Sequence, residues 1–224
     1  MPADRSNRVL LLEDEAVLCG LLAEHLRGQG YDVQACGTAA EATAIAERFK
    51  PTILVFDIEL GSGPAGIDVA HALMRRMKIQ ALVFLTNLPE PRVAGLSNRS
   101  IPPNAAYLHK SRLTSPNVIH EAIEASLKRA TKSAFRDDLR PQHRLAGMSG
   151  AQLDVLRMVA LGFSNAEIAE RRGTTLRAVE NLMSRTYQAA GIERTAAMSE
   201  RVQAARLFIQ EAGMPSPQDT NVHD

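Results

Sequence analysis

Val9-Leu10-Leu11-Leu12-Glu13-Asp14-Glu15 is a short apolar run that stops at three consecutive carboxylates. Four further short apolar runs follow downstream: Val33–Ala35, Ile53–Phe56, Ala81–Leu85 and Ala106–Leu108. Between them lie stretches with helical spacing, such as Leu18, Leu21, Leu22, His25 and Leu26, or Val69, Ala72, Leu73 and Met77. Short runs bounded by turns and alternating with helices imply βαβ units and a parallel sheet. The more hydrophobic runs are expected to be buried on both faces. The fold class read from this region is α/β, a doubly wound five-stranded parallel (βα)5 sheet over residues 8–130. Its last helix is expected to start with Ser115 as N-cap and Pro116 at the first helical position.

The residues that follow the runs carry the chemistry. Glu13, Asp14 and Glu15 follow the first run, Asp57 the third, Thr86 the fourth, and Lys110 closely follows the fifth. Ligands bind at the carboxyl ends of the strands of an open parallel sheet. The pattern thus brings carboxylates, a hydroxyl and an ammonium to one edge. Clustered carboxylates call for a hard cation, and Mg2+ takes oxygen ligands while keeping sites for water and substrate oxygens. A carboxylate beside Mg2+ can attack a phosphoryl group and become an acyl phosphate. Thr86 and Lys110 are then the donors to the phosphoryl oxygens. Each residue alone has a plainer reading, as a turn aspartate, a surface lysine or a strand-forming threonine. Their common edge argues against it.

The segments Val9–Glu15, Ile53–Asp57, Val83–Thr86 and Tyr107–Lys110 together resemble the receiver domain of two-component response regulators. The resemblance implies that Asp57 is the phosphoacceptor. It implies that Asp14 and Asp57 ligate Mg2+, with Glu13 acting through water and the backbone carbonyl of Glu59 completing the protein ligands. Lys110 pairs with the phosphoryl group, and Thr86 and Tyr107 form the switch. The hydroxyl moves toward the new phosphate and the ring turns inward behind it. Three departures stand out. Pro89, Pro91, Gly95, Pro102 and Pro103 fall where the family has a regular fourth helix, so that helix should be short or distorted. Asn87 follows the switch threonine where many receivers have alanine, and its bulk should slow access to Asp57. The glycine-rich loop Glu59–Gly66 lacks a phosphate-loop lysine and reads as a flexible turn.

From about Met148 to Phe208 only helical patterns occur, with clear end signals. Ser149 with Gln152 and Ser164 with Glu167 form capping boxes. Gly162, Gly173 and Gly191 stop helices, Thr174 or Thr175 caps the third, and Thr195 is expected to open the fourth. Residues 147–212 thus read as a small all-α four-helix domain with a helix-turn-helix. Gln152, Val155-Leu156, Ala160, Gly162-Phe163-Ser164-Asn165, Glu167-Ile168-Ala169, Val179, Asn181 and Gly191-Ile192 resemble a LuxR/NarL-type DNA-binding domain. By that resemblance the third helix, about Leu176 to Ala190, enters the major groove. Ile168, Val179, Leu182, Met183 and Tyr187 form its apolar side. Arg177, Glu180, Asn181, Ser184 and Arg185 face outward, where arginine can read guanine, asparagine adenine and glutamate cytosine. Arg171, Arg172 and Arg194 are candidates for phosphate contact. Glu180 and Leu182 stand where the family has lysine and histidine, which implies weak binding by the monomer or an unusual site. A twofold site with half-sites about one helical turn apart is the geometric expectation for a homodimer.

The formal net charge is only +1, so any nucleic-acid face must be local. Cys19 and Cys36 have no metal-ligand spacing and read as reduced packing cysteines. No apolar run approaches the roughly 18 residues that span a bilayer, and the run after the charged Met1–Arg8 stretch is too short for a signal-peptide core. A cytoplasmic location is expected. Residues 131–146 read as a linker and 213–224 as a disordered tail. The leading reading is a DNA-binding response regulator, not an enzyme, phosphorylated by a sensor histidine kinase or a small phosphodonor. Two alternatives are a phosphorylation-independent regulator and a module whose helix-turn-helix binds a protein. An aspartyl-phosphate hydrolase is disfavoured, because Glu59 stands where such enzymes need a second aspartate.

Overall fold

The computed structural model describes residues 7–60, 65–97, 100–131, 133–139, 143–195 and 197–215. The chain divides into two compact units, one of Met1–Asn87 with Arg99–Leu139, the other of Leu88–Asn98 with Arg140–Asp224.

The first unit is built on five parallel strands: β1 (Arg8–Leu12), β2 (Asp32–Cys36), β3 (Ile53–Asp57), β4 (Ala81–Thr86) and β5 (Ala106–His109). Their spatial order is β2-β1-β3-β4-β5. Every residue of β3 and β4 is buried, as expected of strands covered on both faces. Helices α1 (Ala16–Gly28) and α4 (Asn117–Leu127) cover one face, where Leu22, Leu26, Ile119 and Ile123 join Val9, Leu11, Val55, Val83 and Leu85 in one core. Helices α2 (Ala39–Phe49) and α3 (Gly66–Arg76) pack against each other and on β1 and β3. This is the doubly wound sheet read from the sequence. The start of α4 lies one residue later than the sequence suggests: Ser115 Oγ accepts from Asn117 N at 3.4 Å, and Pro116 precedes the helix instead of opening it.

One stretch differs from the sequence reading. Residues 131–146 were expected to be a linker. Instead, Ser133–Phe135 and Asp137–Leu139 form 3-10 turns along β5, and Arg136 bridges to Tyr107 in parallel. Asp137 accepts from His109 N at 3.0 Å and pairs with Arg112 at 2.7 Å. The physical reason is that β5 is an edge strand with backbone groups to satisfy. Residues 132 and 140–142 of this stretch lie outside the described residues, as do residues 61–64 of the glycine-rich loop and 216–224 of the tail.

The proline-rich stretch after Thr86 lacks a regular helix among its described residues, as its prolines imply. A 3-10 turn over Pro91–Ala94 ends at Gly95 with φ 80°. Its part Leu88–Asn98 belongs to the second unit. There the Arg92 guanidinium clasps both oxygens of Glu90 at 2.6 and 2.8 Å. It also donates to the carbonyls of Met148 and Ala146 at 2.7 and 3.1 Å. Burial would push the Glu90 carboxyl up, but its bonds to His143 and Arg92 outweigh that and hold it low.

The rest of the second unit is α5 (Gly150–Ala160), α6 (Asn165–Arg171), α7 (Leu176–Ala189) and α8 (Glu200–Ala212). Both expected capping boxes are present, at Ser149 with Gln152 and Ser164 with Glu167. Thr175, not Thr174, caps α7 by accepting from Ala178 N. The fourth helix starts later than expected. Ser199 caps it, while Thr195 exchanges bonds with Met198 in the preceding turn. A threonine that finds a partner in a local turn no longer competes for a helix start.

Candidate functional site

The strand order reverses between β1 and β3, so the chain leaves the two neighbouring strands in opposite directions and opens a crevice at their carboxyl ends. Glu13 and Asp14 leave β1 there, and Asp57 ends β3. One carboxylate oxygen from each of these three residues lies within 4.8 Å of the others, with Glu13 and Asp57 buried and Asp14 exposed. Lys110 reaches in from beyond β5 and donates from Nζ to Asp57 Oδ2 and to Glu13 Oε1, both at 2.7 Å. Asp57 Oδ1 accepts from the backbone N–H of Glu59 at 2.9 Å. Glu13 Oε2 is buried and has no hydrogen-bond partner.

One ammonium thus serves two buried carboxylates. Burial pushes the Asp57 carboxyl up to about 7, against the pull of Lys110 and with a further push from Glu13. Burial alone would lower the Lys110 ammonium, but its two carboxylate partners more than reverse this and hold it charged. A second cation is the remedy for such an imbalance, and the orphaned Glu13 oxygen offers it a ligand.

The β3–β4 register aligns Asp57 with Leu85, so Thr86 follows one position beyond on the adjacent strand. Its hydroxyl donates to Glu59 Oε2 at 3.2 Å, and the Asn87 N–H donates to the same oxygen at 3.1 Å. Tyr107, on β5, is fully buried. The structure therefore brings Glu13, Asp14, Asp57, Glu59, Thr86 and Lys110 to one edge, with Tyr107 in the strand behind. Sequence reasoning took the backbone carbonyl of Glu59 as a metal ligand and its side chain only as an argument against a hydrolase, and missed the contact of that side chain with Thr86 and Asn87. It also missed Gly66. A Cβ there would lie 1.7 Å from the Asp57 carbonyl oxygen, so the first residue of α3 touches the backbone of Asp57. A glycine at the start of a helical pattern was the available signal.

On the second unit, α7 buries Val179, Met183 and Thr186 and half-buries Leu182 and Tyr187. Arg177, Glu180, Asn181, Ser184 and Arg185 are all exposed, as expected from their spacing, and so is Arg194. Arg171 and Arg172 are more committed. The Arg171 guanidinium lies 4.0 Å from the centre of the Phe163 ring, and half-buried Arg172 pairs with Asp154. Cys19 and Cys36 are free thiols, and burial is the main cause that raises both, Cys36 to about 12. Such thiols are packing groups. Among the described residues no helix is long and apolar enough to cross a membrane.

A switch-point crevice with this constellation, in one chain with a capped helix-turn-helix, is the arrangement that the receiver and LuxR/NarL resemblances implied. No family model matches the chain. It is 24% identical over 221 residues to the DNA-binding transcriptional activator DevR/DosR of Mycobacterium tuberculosis, covering 94% of this chain and 97% of that protein. It is 38% identical over 80 residues to the transcriptional regulatory protein PdtaR of the same organism. That match covers 35% of this chain and 38% of PdtaR. Another partial relative, the regulator PhyR of Methylorubrum extorquens, is spanned over only 36% of its length. RcsB from Salmonella enterica serovar Typhimurium, solved bound to a promoter in the presence of the phosphomimetic BeF3-, matches with a TM-score of 0.57 at 14% identity. The match covers 92% of this chain and 99% of RcsB and carries the fold. The chain is thus similar over nearly its whole length to a DNA-binding transcriptional activator, and over most of it to the fold of a two-component response regulator.

Proposed function

We propose that this chain is a DNA-binding transcription regulator whose receiver is phosphorylated on Asp57. The observation that carries the reading is Lys110 Nζ bridging Asp57 and Glu13 at 2.7 Å, at the switch point of a parallel sheet. A phosphoryl group arrives from a sensor histidine kinase or a small phosphodonor. An Asp57 carboxylate oxygen forms the bond to phosphorus as the bond to the donor's leaving group breaks, and the leaving group departs with the electron pair. Lys110 stays paired with the growing charge, and Thr86 supplies a hydroxyl. Glu13, Asp14, Asp57 and the Glu59 carbonyl would hold Mg2+, whose chemistry is to neutralise the carboxylates and the incoming phosphoryl oxygens. The product adds about two negative charges beside Thr86 and Tyr107.

The first test is intact-protein mass after incubation with Mg2+ and a small phosphodonor. One added phosphoryl group is expected in the parent and none in Asp57→Asn or in the parent without Mg2+. No adduct with any donor, beside a receiver that reacts, would sink the phosphorylated reading in favour of a phosphorylation-independent regulator.

The exposed face of α7 is the proposed DNA surface, in a homodimer on a twofold site. RcsB supports this by its fold and by being solved as dimers bound to DNA. With two arginines against Glu180 on α7, the affinity per protomer should be modest and salt-dependent. Arg177→Ala is expected to cost about 1–3 kcal/mol of binding if it reads a base. If it meets a phosphate instead, the slope of log affinity against log salt should fall by about one. Fluorescence anisotropy over a salt series distinguishes these. A slope near zero with the parent would favour a protein partner for this face.

A further inference from the structure

The Glu59 carboxylate is where the chain departs most from what the sequence implied. It sits where two donors meet. Two donors, the Thr86 hydroxyl and the Asn87 N–H, converge on one oxygen of Glu59 at 3.2 and 3.1 Å. A hydroxyl and an adjacent backbone N–H aimed at one point form an oxyanion cradle. Thr86 stands one position beyond the residue paired with Asp57 on the neighbouring strand. A phosphoryl group on Asp57 therefore has its oxygens delivered to the Thr86 hydroxyl that Glu59 engages here. Glu59 is only two residues from Asp57, and its N–H is fixed on Asp57 Oδ1 at 2.9 Å, which pins the backbone from which the carboxylate reaches.

We infer that the Glu59 carboxylate is an internal stand-in for the phosphoryl oxygen and holds the receiver in its switched arrangement before any phosphoryl transfer. The inference rests on the reading of Thr86 and Tyr107 as the switch pair. Charge and geometry agree. A carboxylate oxygen and a phosphoryl oxygen are both anionic acceptors, and both draw a hydroxyl and an amide N–H. The state of the tyrosine agrees as well. An inward ring is what an engaged Thr86 permits, and Tyr107 is fully buried. Glu59 itself is exposed, so its hold on Thr86 is not imposed by packing and can be displaced. Phosphorylation must then evict Glu59 from the cradle. It adds little to a switch already thrown and proceeds against a local negative charge.

The test reads the cradle directly and does not depend on phosphorylation. The full chain, labelled with 15N-asparagine, is compared with Glu59→Ala by the amide resonance of Asn87, each with and without beryllofluoride and Mg2+. Without beryllofluoride, the Asn87 amide is expected to shift upfield in Glu59→Ala through loss of its anionic acceptor. Beryllofluoride should return it toward the wild-type position while barely moving the wild type. Phosphoryl uptake from a small donor should be about tenfold faster in Glu59→Ala, the scale of one charge-assisted hydrogen bond lost. The inference is overturned if the Asn87 amide is the same in both proteins, or if beryllofluoride moves the wild type as far as the variant. If beryllofluoride binds neither protein, the phosphoacceptor reading fails, while the comparison without it still decides the role of Glu59.

Discussion

Gly66→Ala is expected to destabilise the first unit by about 3 kcal/mol or more, at the upper end of what overpacking costs. A Cβ at this position would lie 1.7 Å from the Asp57 carbonyl oxygen and 2.9 Å from its carbon. Both are backbone atoms, so no rotamer change relieves the clash. Either α3 withdraws from the sheet or β3 bends at the residue proposed to take the phosphoryl group. A loss of this size is a large part of the roughly 5–15 kcal/mol that holds a domain together. Gly20 is the matched control. It lies inside α1 with nothing within 4 Å of its added Cβ. Gly20→Ala should stabilise by about 1 kcal/mol through helix propensity. Urea unfolding of the full chain compares the two. A Gly66→Ala midpoint within error of the parent would mean that the contact with Asp57 is not what fixes the start of α3.

The second large effect is expected from Lys110→Met. The lysine side chain is 12% exposed and its partners Glu13 and Asp57 are 0% and 3% exposed. Removing one partner of a buried ion pair costs about 3–5 kcal/mol, because a charge is left uncompensated. Here two are left. The pH dependence has a definite sign. In the parent, burial raises the Asp57 carboxyl from 3.8 to about 7 in the folded state. A folded value above the unfolded one contributes stability that is present below the unfolded value and lost as pH rises to the folded value. The window is therefore roughly pH 4 to 7 for the parent, as those two values set it. Without Lys110 the main downward pulls on Asp57 are gone, so the loss continues above pH 7. Parent and variant should unfold at similar denaturant concentrations at pH 4 and diverge by pH 8. Mg2+ should recover part of the difference at pH 8, up to about 2.7 kcal/mol at a hundredfold excess over its dissociation constant. A gap independent of pH would show that Lys110 acts through packing and not through charge.

The sheet and the residues at its strand ends were legible because a parallel strand buried on both faces leaves an unbroken apolar run, and the polar residue that ends it is conspicuous. Asp57, Thr86 and Lys110 announced themselves in this way. The helix starts at Ser149 and Ser164 were legible, and the third was narrowed to Thr174 or Thr175, because a capping side chain acts within three residues of itself. What was not legible depends on partners distant in sequence. The Glu59 side chain reads as a loop glutamate until β4 lies beside β3 and brings Thr86 and Asn87 to it. Gly66 reads as one more glycine of a turn until α3 packs on Asp57. The stretch 133–139 reads as part of a linker until the edge of β5 and Arg112 beyond it give its Asp137 something to bind. Thr195 and Ser199 are both acceptable caps by local rule, and the turn that occupies Thr195 decides between them.

Residues 88–97 are assigned to the helical unit although they lie between β4 and β5 in the chain. Here the map of the gene and the map of the folded units do not coincide, because the chain passes from one unit to the other and back before leaving for good. A protein cut after residue 139 would yield a helical fragment lacking its own first piece. The carbonyls of Ala146 and Met148, just ahead of the Ser149 cap, would lose Arg92. Gly95, which lies against the guanidinium of Arg157, would no longer cover that side chain, itself 4% exposed. Such a fragment is a poor proxy for the intact regulator in a DNA-binding assay. For the same reason, this helical unit cannot be transplanted onto another α/β domain by a single splice, and shuffling that recombines such units would have to carry a stretch of the first unit's coding sequence with it.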